Sequence, residues 1–555
     1  MVIMIVKKVF IVWLVLLVVA NSNAQLLSPK ETFTKADTLR GSDNENRDWW
    51  DVLRYDIKVE PNYEKKTIVG ICYITFCALK SGRIMQIDLQ DSMIIDQIDI
   101  YNSTEFSDIS SIPFTRKDGV YLVNVSKLKI KDVDTLIIYY HGKPREAIKP
   151  PWDGGWVWAK DSLGNPWMSV ACQGLGASSW YPCKDLQSDE PDSGATLTII
   201  APDSLNAIGN GRLNNSKTNA TTWQVKNPIN NYDIIPYIGK YVNFTDTLMG
   251  EAGKLDLSYW VLAYNLEKAK EQFTQVKPML HCFEYWFGKY PFYEDSYKLV
   301  EAPYIGMEHQ SAVAYGNEYK NGYHGTDLSA TGWGMKWDFI IVHESGHEWF
   351  GNSITSKDIA DQWIHESFTM YSEVLYTQWM FGKKAGDDYC VGLRHNILND
   401  NPIIGPYGVN KEGSGDMYYK GANMLHSIRH IINNDSLFRQ ILRGLNTEFY
   451  HETVTAKQVE DYMIDKSGIN LQPIFNQYLT TTQIPHLLYT IDAKSSSVTI
   501  NWTGCIAGFN MLITIPVTSK SVNITTKKRA IQLTKEEMNW FTKENLERNY
   551  YIDVN

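Results

Sequence analysis

The amino-acid sequence predicts a multidomain α+β chain: an N-terminal all-β saddle or sandwich, a central α+β domain rich in helices, and a small C-terminal β module. Three observations carry that expectation. Between residues 47 and 263, short alternating segments follow one another with no helical period between them. From about Asn265 to Gln477 the apolar spacing becomes that of helices. Alternation then returns from Leu487 to the end. At 555 residues the chain exceeds one hydrophobic core, and two to four domains are expected.

Taken in order, residues 1–24 read as a signal peptide. Lys7 and Lys8 precede the apolar run Val9 to Ala20, and Ser22-Asn23-Ala24 offers small residues for cleavage. Export to the periplasm or the medium is expected, with no stable membrane span after cleavage, because the run is too short. Loss of the two lysines moves the net charge from −10 to −12. That balance, with no Lys/Arg run, argues against a nucleic-acid partner. Seven cysteines are an odd count for an exported chain, so at least one is free or pairs between chains. Cys72 and Cys77 have odd spacing and would point to opposite faces of one strand.

A polar segment, 25–46, leads into the all-β domain, 47–263. Leu53–Glu60 and Thr67–Phe76 alternate cleanly, and Met93–Tyr101, Thr135–Tyr140, Ala195–Ala201 and Leu255–Leu262 continue the series between Gly, Pro, Asn and Asp breaks. The central domain, 264–484, opens on Leu266–Phe287, with Phe273, Val276, Leu280 and Phe283 on one helical stripe. Gly421–Ile432 and Ala456–Lys466 are further helices. The C-terminal module, 485–555, is expected to hold strands at Val498–Trp502, Phe509–Val517 and Ile531–Leu533.

The chemistry concentrates in His343-Glu344-Ser345-Gly346-His347, which follows the apolar run Phe339 to Val342, and in Glu366 nineteen residues beyond His347. On a helix, i and i+4 share a face, so His343 and His347 present two imidazoles to one point. Two imidazoles and a carboxylate are a usual set for a catalytic zinc, one per chain here, with the fourth position left to water. Glu344 does not point with the ligands and is placed to take a proton from that water. By background usage such a pentad arises in roughly one chain in a hundred of this size, as two surface histidines on one helix. The buried context on both sides, including Phe368, Tyr371, Val374 and Leu375 after Glu366, favours the metal. Glu373, two turns beyond Glu366 on the same face, can accept a hydrogen bond from a ligand histidine; the alternative is a solvated helix glutamate.

With these residues on the page, the chain resembles the gluzincin aminopeptidases, the aminopeptidase N and leukotriene hydrolase group. The pentad-to-Glu366 spacing is the family's. His347 to Thr355 closely matches its segment there, and Asp361 to Phe368 is similar to its D-x-W-L-x-E-G-F, with Ser367 in place of glycine. Gly288-Lys289-Tyr290-Pro291 and Tyr181-Pro182-Cys183-Lys184-Asp185 add weaker matches. The resemblance implies a thermolysin-like catalytic unit over 264–484 and an exported bacterial-type member that stops before the large helical domain many members carry.

It also implies roles. Gly306-Met307-Glu308-His309 looks like the family's G-x-M-E-N, so Glu308 would hold the substrate's α-ammonium, with Gly306 and Met307 beside the substrate backbone. Ile305 and His309 depart from the pattern and bear on subsite shape. Ala171-Cys172-Gln173 resembles Q-C-E or Q-C-Q, which implies a second amine contact through the Gln173 carbonyl; a plain turn residue before Gly174 is the alternative. Tyr418-Tyr419-Lys420-Gly421-Ala422 is similar to Y-E-K-G-A, which makes Tyr418 the oxyanion donor and puts Tyr419 in the glutamate slot.

The function implied is an exported zinc aminopeptidase acting on peptides with a free N-terminus. A thermolysin-like endopeptidase is the first rival, disfavoured because an internal peptide offers Glu308 and Gln173 no ammonium. Epoxide hydrolysis, known for one family member, relies partly on a domain outside this sequence. A non-catalytic binding protein on a protease scaffold is disfavoured because every catalytic residue type is present. Oligomeric state and the preferred first residue are not legible.

Overall fold

A computed structural model describes residues 35–102, 109–125, 130–202, 204–217 and 219–555. The expected signal peptide, 1–24, lies outside the described residues, as does the polar segment as far as residue 34. Among the described residues no helix is long and apolar enough to cross a membrane.

The N-terminal region is built on an eight-stranded sheet, with Trp50–Asn62 and Thr67–Ala78 paired antiparallel near its centre. Trp50–Asn62 also pairs in parallel with Ala195–Ile200. Period 2 decides what each strand buries. In Thr67–Ala78, Ile68, Cys72, Ile74 and Phe76 face the core, whereas Val69 and Tyr73 face out. Cys72 is accordingly buried and Cys77 half-buried, and all seven cysteines are free. Trp50, Tyr55, Phe76, Trp156 and Trp180 fill this first core, each such side chain contributing about 1.5–3 kcal/mol on burial.

The β region and the catalytic region do not divide at residue 263 as the sequence suggests. The hairpin Tyr241–Gly250 and Gly253–Leu262 belongs to a five-stranded sheet with Tyr297–Glu301, Val313–Tyr315 and Gly306–Met307. Alternation in the hairpin is the same whichever sheet recruits it, so the sequence pattern could not place it. This sheet is the wall between two cores. Leu299, Val313 and Tyr315 face the helical core, while Val300, Ala302 and Ala314 face the β core. Gly306–Met307 forms its short outer strand, paired with Val313–Tyr315.

Helices cover the other side: Val276–Phe287, Phe339–Gly346 (the pentad helix), Trp363–Phe381 (the Glu366 helix), Lys383–Gly392 and Asp416–Ile432 (the Tyr418 helix). The C-terminal module adds the expected strands, but also two short helices, Lys535–Trp540 and Lys543–Asn549. The first carries a capping box, Thr534 with Glu537, a signature present in the sequence and not read there. This module shares the helical core rather than forming its own. Tyr551 N donates to Ser427 Oγ at 2.9 Å, and Tyr478 Oη donates to the Tyr551 carbonyl at 2.6 Å.

Candidate active site

The pentad helix is only eight residues long, below the ~12–15 at which isolated helices hold in water, so its placement comes from tertiary anchors. Asp338 is its N-cap. Its buried carboxylate accepts from Ile340 N (3.1 Å), Ile341 N (3.4 Å), Asn317 Nδ2 (2.8 Å), Tyr315 Oη (2.7 Å) and Gln272 Nε2 (2.7 Å). His347 closes the helix with helical backbone angles, which preserves the one-turn stagger from His343.

The two imidazole rings lie 5.0 Å apart at 80°. Glu366 Oε2 is 3.7 Å from His343 Nε2 and 3.4 Å from His347 Nε2. One donor atom from each of the three residues falls within 4.8 Å of the others. Each histidine is oriented from behind. His343 Nδ1 lies 2.6 Å from Glu373 Oε1, and Glu373 Oε2 accepts from Tyr389 Oη at 2.6 Å. His347 Nδ1 lies 3.0 Å from the Phe350 carbonyl. Those acceptors fix the proton on each Nδ1 and leave both Nε2 lone pairs aimed at Glu366. Glu366 Oε2 itself is buried without a hydrogen-bond partner. A convergent His₂Glu set with an orphaned carboxylate oxygen fits a zinc ion.

Glu373 is thus buried against His343 and not in solvent. Glu373→Gln should weaken metal affinity by about 10–100-fold, read by chelator competition. An unchanged affinity would leave Glu373 with a role in packing alone.

Glu344 points from the same helix into the cleft, against Gly306. A Cβ at Gly306 would come within 2.8 Å of both Glu344 Oε1 and the Ile340 side chain, so glycine there admits the carboxylate. Burial pushes the Glu344 carboxyl up to about 7, with Glu308 adding to the rise and the two imidazoles opposing it.

Glu308 follows the outer strand and is buried. Its Oε1 accepts from Gln173 Nε2 at 2.5 Å and from Tyr232 Oη at 3.0 Å, both contributed by the β region. Its backbone carbonyl is held by Asn352 Nδ2 at 2.7 Å. The partners on that oxygen are neutral, an amide nitrogen and a phenol. A buried carboxylate without a fixed cation is suited to receive one. Because Gln173 donates through its nitrogen, its amide oxygen is left to accept.

Ile305, Gly306 and Met307 line the same cleft, whereas His309 does not. The His309 ring turns away to Tyr237 Oη, 2.7 Å from Nδ1. Of the two departures noted in the motif, Ile305 alone touches the cleft.

Tyr418 lies on the first turn of its helix, its ring 6.1 Å from that of His343 and inclined at 28°. Burial and the nearby carboxylates of Glu366, Glu412, Glu308 and Glu344 push the Tyr418 phenol well above its ordinary range. Tyr419 lines the cleft as well, and the stacking of Tyr418 beside His343 is what distinguishes the adjacent pair. Ser367, which stands where glycine is usual, donates from Oγ to the Met417 carbonyl at 2.7 Å and packs on Gly421. The cleft is about 520 Å³ and is completed by Trp152, Tyr323, Phe339 and Met370. Tyr232, Tyr389 and Glu412 were not found from sequence. Each reaches the site from a segment without a motif of its own.

Residues 264–478 match the family model described as "Peptidase family M1 domain". The chain is 20% identical over 426 residues to "Probable aminopeptidase 2" of Sulfurisphaera tokodaii, covering 73% of this chain and 52% of that protein. It is 23% identical over 371 residues to "Aminopeptidase B" of Rattus norvegicus, covering 60% and 52%. The chain thus spans about half the length of the curated relatives it matches. Among solved structures, the M1 zinc metallopeptidase from Deinococcus radiodurans superposes with a TM-score of 0.64 at 18% identity, over 79% of this chain and 95% of that one. Yeast LTA4 hydrolase gives 0.64 at 18%, over 81% and 71%. A mutant of the Deinococcus protein has been solved with a Tyr-Ser-Ala substrate.

Proposed function

We propose, on the premise that residues 264–478 match the peptidase family M1 domain, that the chain is an exported, single-zinc aminopeptidase that removes the N-terminal residue from peptides. The observation that supports exopeptidase action is the buried Glu308 carboxylate, joined by Gln173 and Tyr232, in the same cleft as His343, His347 and Glu366. Export rests on the signal-like start of the sequence alone.

His343, His347 and Glu366 would hold the zinc. When bound, it supplies Lewis acidity, bringing a water's pKa to about 7 and polarising the scissile carbonyl. Glu308 and the Gln173 amide oxygen bind the substrate's ammonium and set the distance from the chain end to the bond that is cut. Glu344 accepts the proton of the attacking water and returns it to the leaving amine. The Tyr418 phenol donates to the oxyanion. Gly306 and Met307, on the edge strand of the sheet and lining the cleft, lie beside the substrate backbone.

Four values of kcat/KM decide between this reading and an endopeptidase: one peptide, free and N-acetylated, with wild type and with Glu308→Ala. Loss of a charge-assisted hydrogen bond, about 1.5–3 kcal/mol, should reduce kcat/KM on the free peptide by roughly tenfold to a hundredfold in Glu308→Ala. The acetylated peptide should be a poor substrate of wild type and nearly indifferent to the mutation. Equal wild-type rates on both peptides would overturn the aminopeptidase reading.

A further inference from the structure

We propose that Asp387, His426 and His430 form a second divalent-metal site, separate from the catalytic cleft, at the seam between the Tyr418 helix and the C-terminal module. His426 and His430 stand one turn apart on the Tyr418 helix, their rings 4.6 Å apart at 71°. Asp387 reaches them from the helix Lys383–Gly392, and one donor atom from each residue falls within 4.8 Å of the others. His426 is fully buried, Asp387 nearly so, and His430 half-buried.

The second observation is what these groups lack. His430 Nε2 is shielded from water without a hydrogen-bond partner, and Asp387 Oδ1 has none beyond its ion pair with Lys383 at 3.6 Å. Buried polar atoms are nearly always hydrogen-bonded, and a metal would satisfy both of these at once. His430 Nε2 is the open nitrogen, whereas both nitrogens of His426 already have long contacts, to Tyr371 Oη and to the Arg548 carbonyl, one of which a metal would displace.

The surrounding charges set the affinity. Arg429 is committed to Asp435 by two contacts of 2.8 and 2.7 Å. Arg548 donates from Nη2 to Asp388 Oδ1 at 2.7 Å, with its Nε 4.0 Å from Asp387 Oδ2. Arg394 is engaged with Asn423 Oδ1 at 2.6 Å. The half-exposed Lys383, 3.6 Å from Asp387 Oδ1, is the cation free to swing away. Tyr371 Oη (3.4 Å from His426 Nδ1), the Arg548 carbonyl (3.3 Å from His426 Nε2) and the Tyr550 ring complete the walls.

Two imidazoles with one carboxylate select a borderline ion such as Zn²⁺, Co²⁺ or Ni²⁺ over Ca²⁺ or Mg²⁺. The nearby cations make the site weaker than the His₂Glu centre, so it fills on added metal. Filling it would tie the Tyr418 helix to the preceding helix, next to Arg548 and Tyr550 of the C-terminal module.

The test is Co²⁺ titration of the full-length, zinc-loaded protein, following visible absorption, bound cobalt, retained zinc and thermal midpoint. One cobalt per chain should bind with zinc retained, and the midpoint should rise. His430→Ala should abolish both effects while leaving activity on free-amine peptides unchanged. Lys383→Ala should tighten binding by about tenfold, because it removes the competitor for Asp387. No cobalt bound beyond the zinc, or binding that survives His430→Ala, overturns the site. Unchanged affinity in Lys383→Ala overturns Asp387 as its ligand.

Discussion

Glu344→Gln is expected to lower kcat by about 10²–10⁴-fold while leaving bound zinc near one per chain. The amide matches the carboxylate in size, so the tight approach to Gly306 is kept and the ligands are undisturbed. What is lost, on the proposed mechanism, is the base. Burial raises the Glu344 carboxyl above its ordinary range, which suits a group that accepts the proton of water and then releases it to the departing amine. A base must be unprotonated to act, so wild-type rates should fall as pH drops through its ionisation. In Glu344→Gln that acid limb should disappear from the residual activity. The check is a kcat/KM profile against pH for both proteins, with zinc measured on the same samples. A loss under tenfold, or an acid limb that persists unchanged, would remove Glu344 from this role.

Tyr418→Phe should cost about 10²–10³ in kcat, the usual consequence of removing one oxyanion donor. The ring stays, so its stacking beside His343 and the cleft wall should survive, and KM and zinc content should change little. Tyr419→Phe is the control. Tyr419 lines the same cleft one residue further along the helix, and the same deletion there should cost no more than about tenfold, the effect of losing one neutral hydrogen bond. If Tyr419→Phe shows the large loss and Tyr418→Phe does not, the two roles are exchanged.

The parts of this site that were legible in the sequence are those written in local spacing. His343 and His347 are related by the helix repeat, and Glu366 opens a helix of its own at the family's interval. Glu308 and Tyr418 came through short segments whose resemblance held despite Ile305, His309 and Tyr419. Tyr232 and Tyr389 were invisible for a physical reason. Each acts across 76 and 16 residues of chain respectively, and nothing near either residue encodes its partner. The same limit explains the hairpin 241–262, whose alternation fixes a strand but not the sheet that recruits it. The helices at 535–549 were a different kind of omission, since Thr534 and Glu537 signalled the first of them in plain sequence.

The five hydrogen bonds into Asp338 make it the clamp at the N-terminal end of the pentad helix, while Tyr297, Glu373 and the Phe350 carbonyl steady Ser345, His343 and His347 further along. His347 lies nine residues from that clamp, so at 1.5 Å per residue its ring is carried at the end of an arm of ~13 Å. A tilt of about 5° at the clamp displaces that ring by about 1 Å, and an error of 1 Å at reacting groups can cost ~10² in rate. Gln272, Tyr315 and Asn317, none of them near the reacting atoms, share in setting that angle. Sensitivity to substitution in this chain should therefore follow leverage on the helix, with Asp338 ranking above many residues that line the cleft itself.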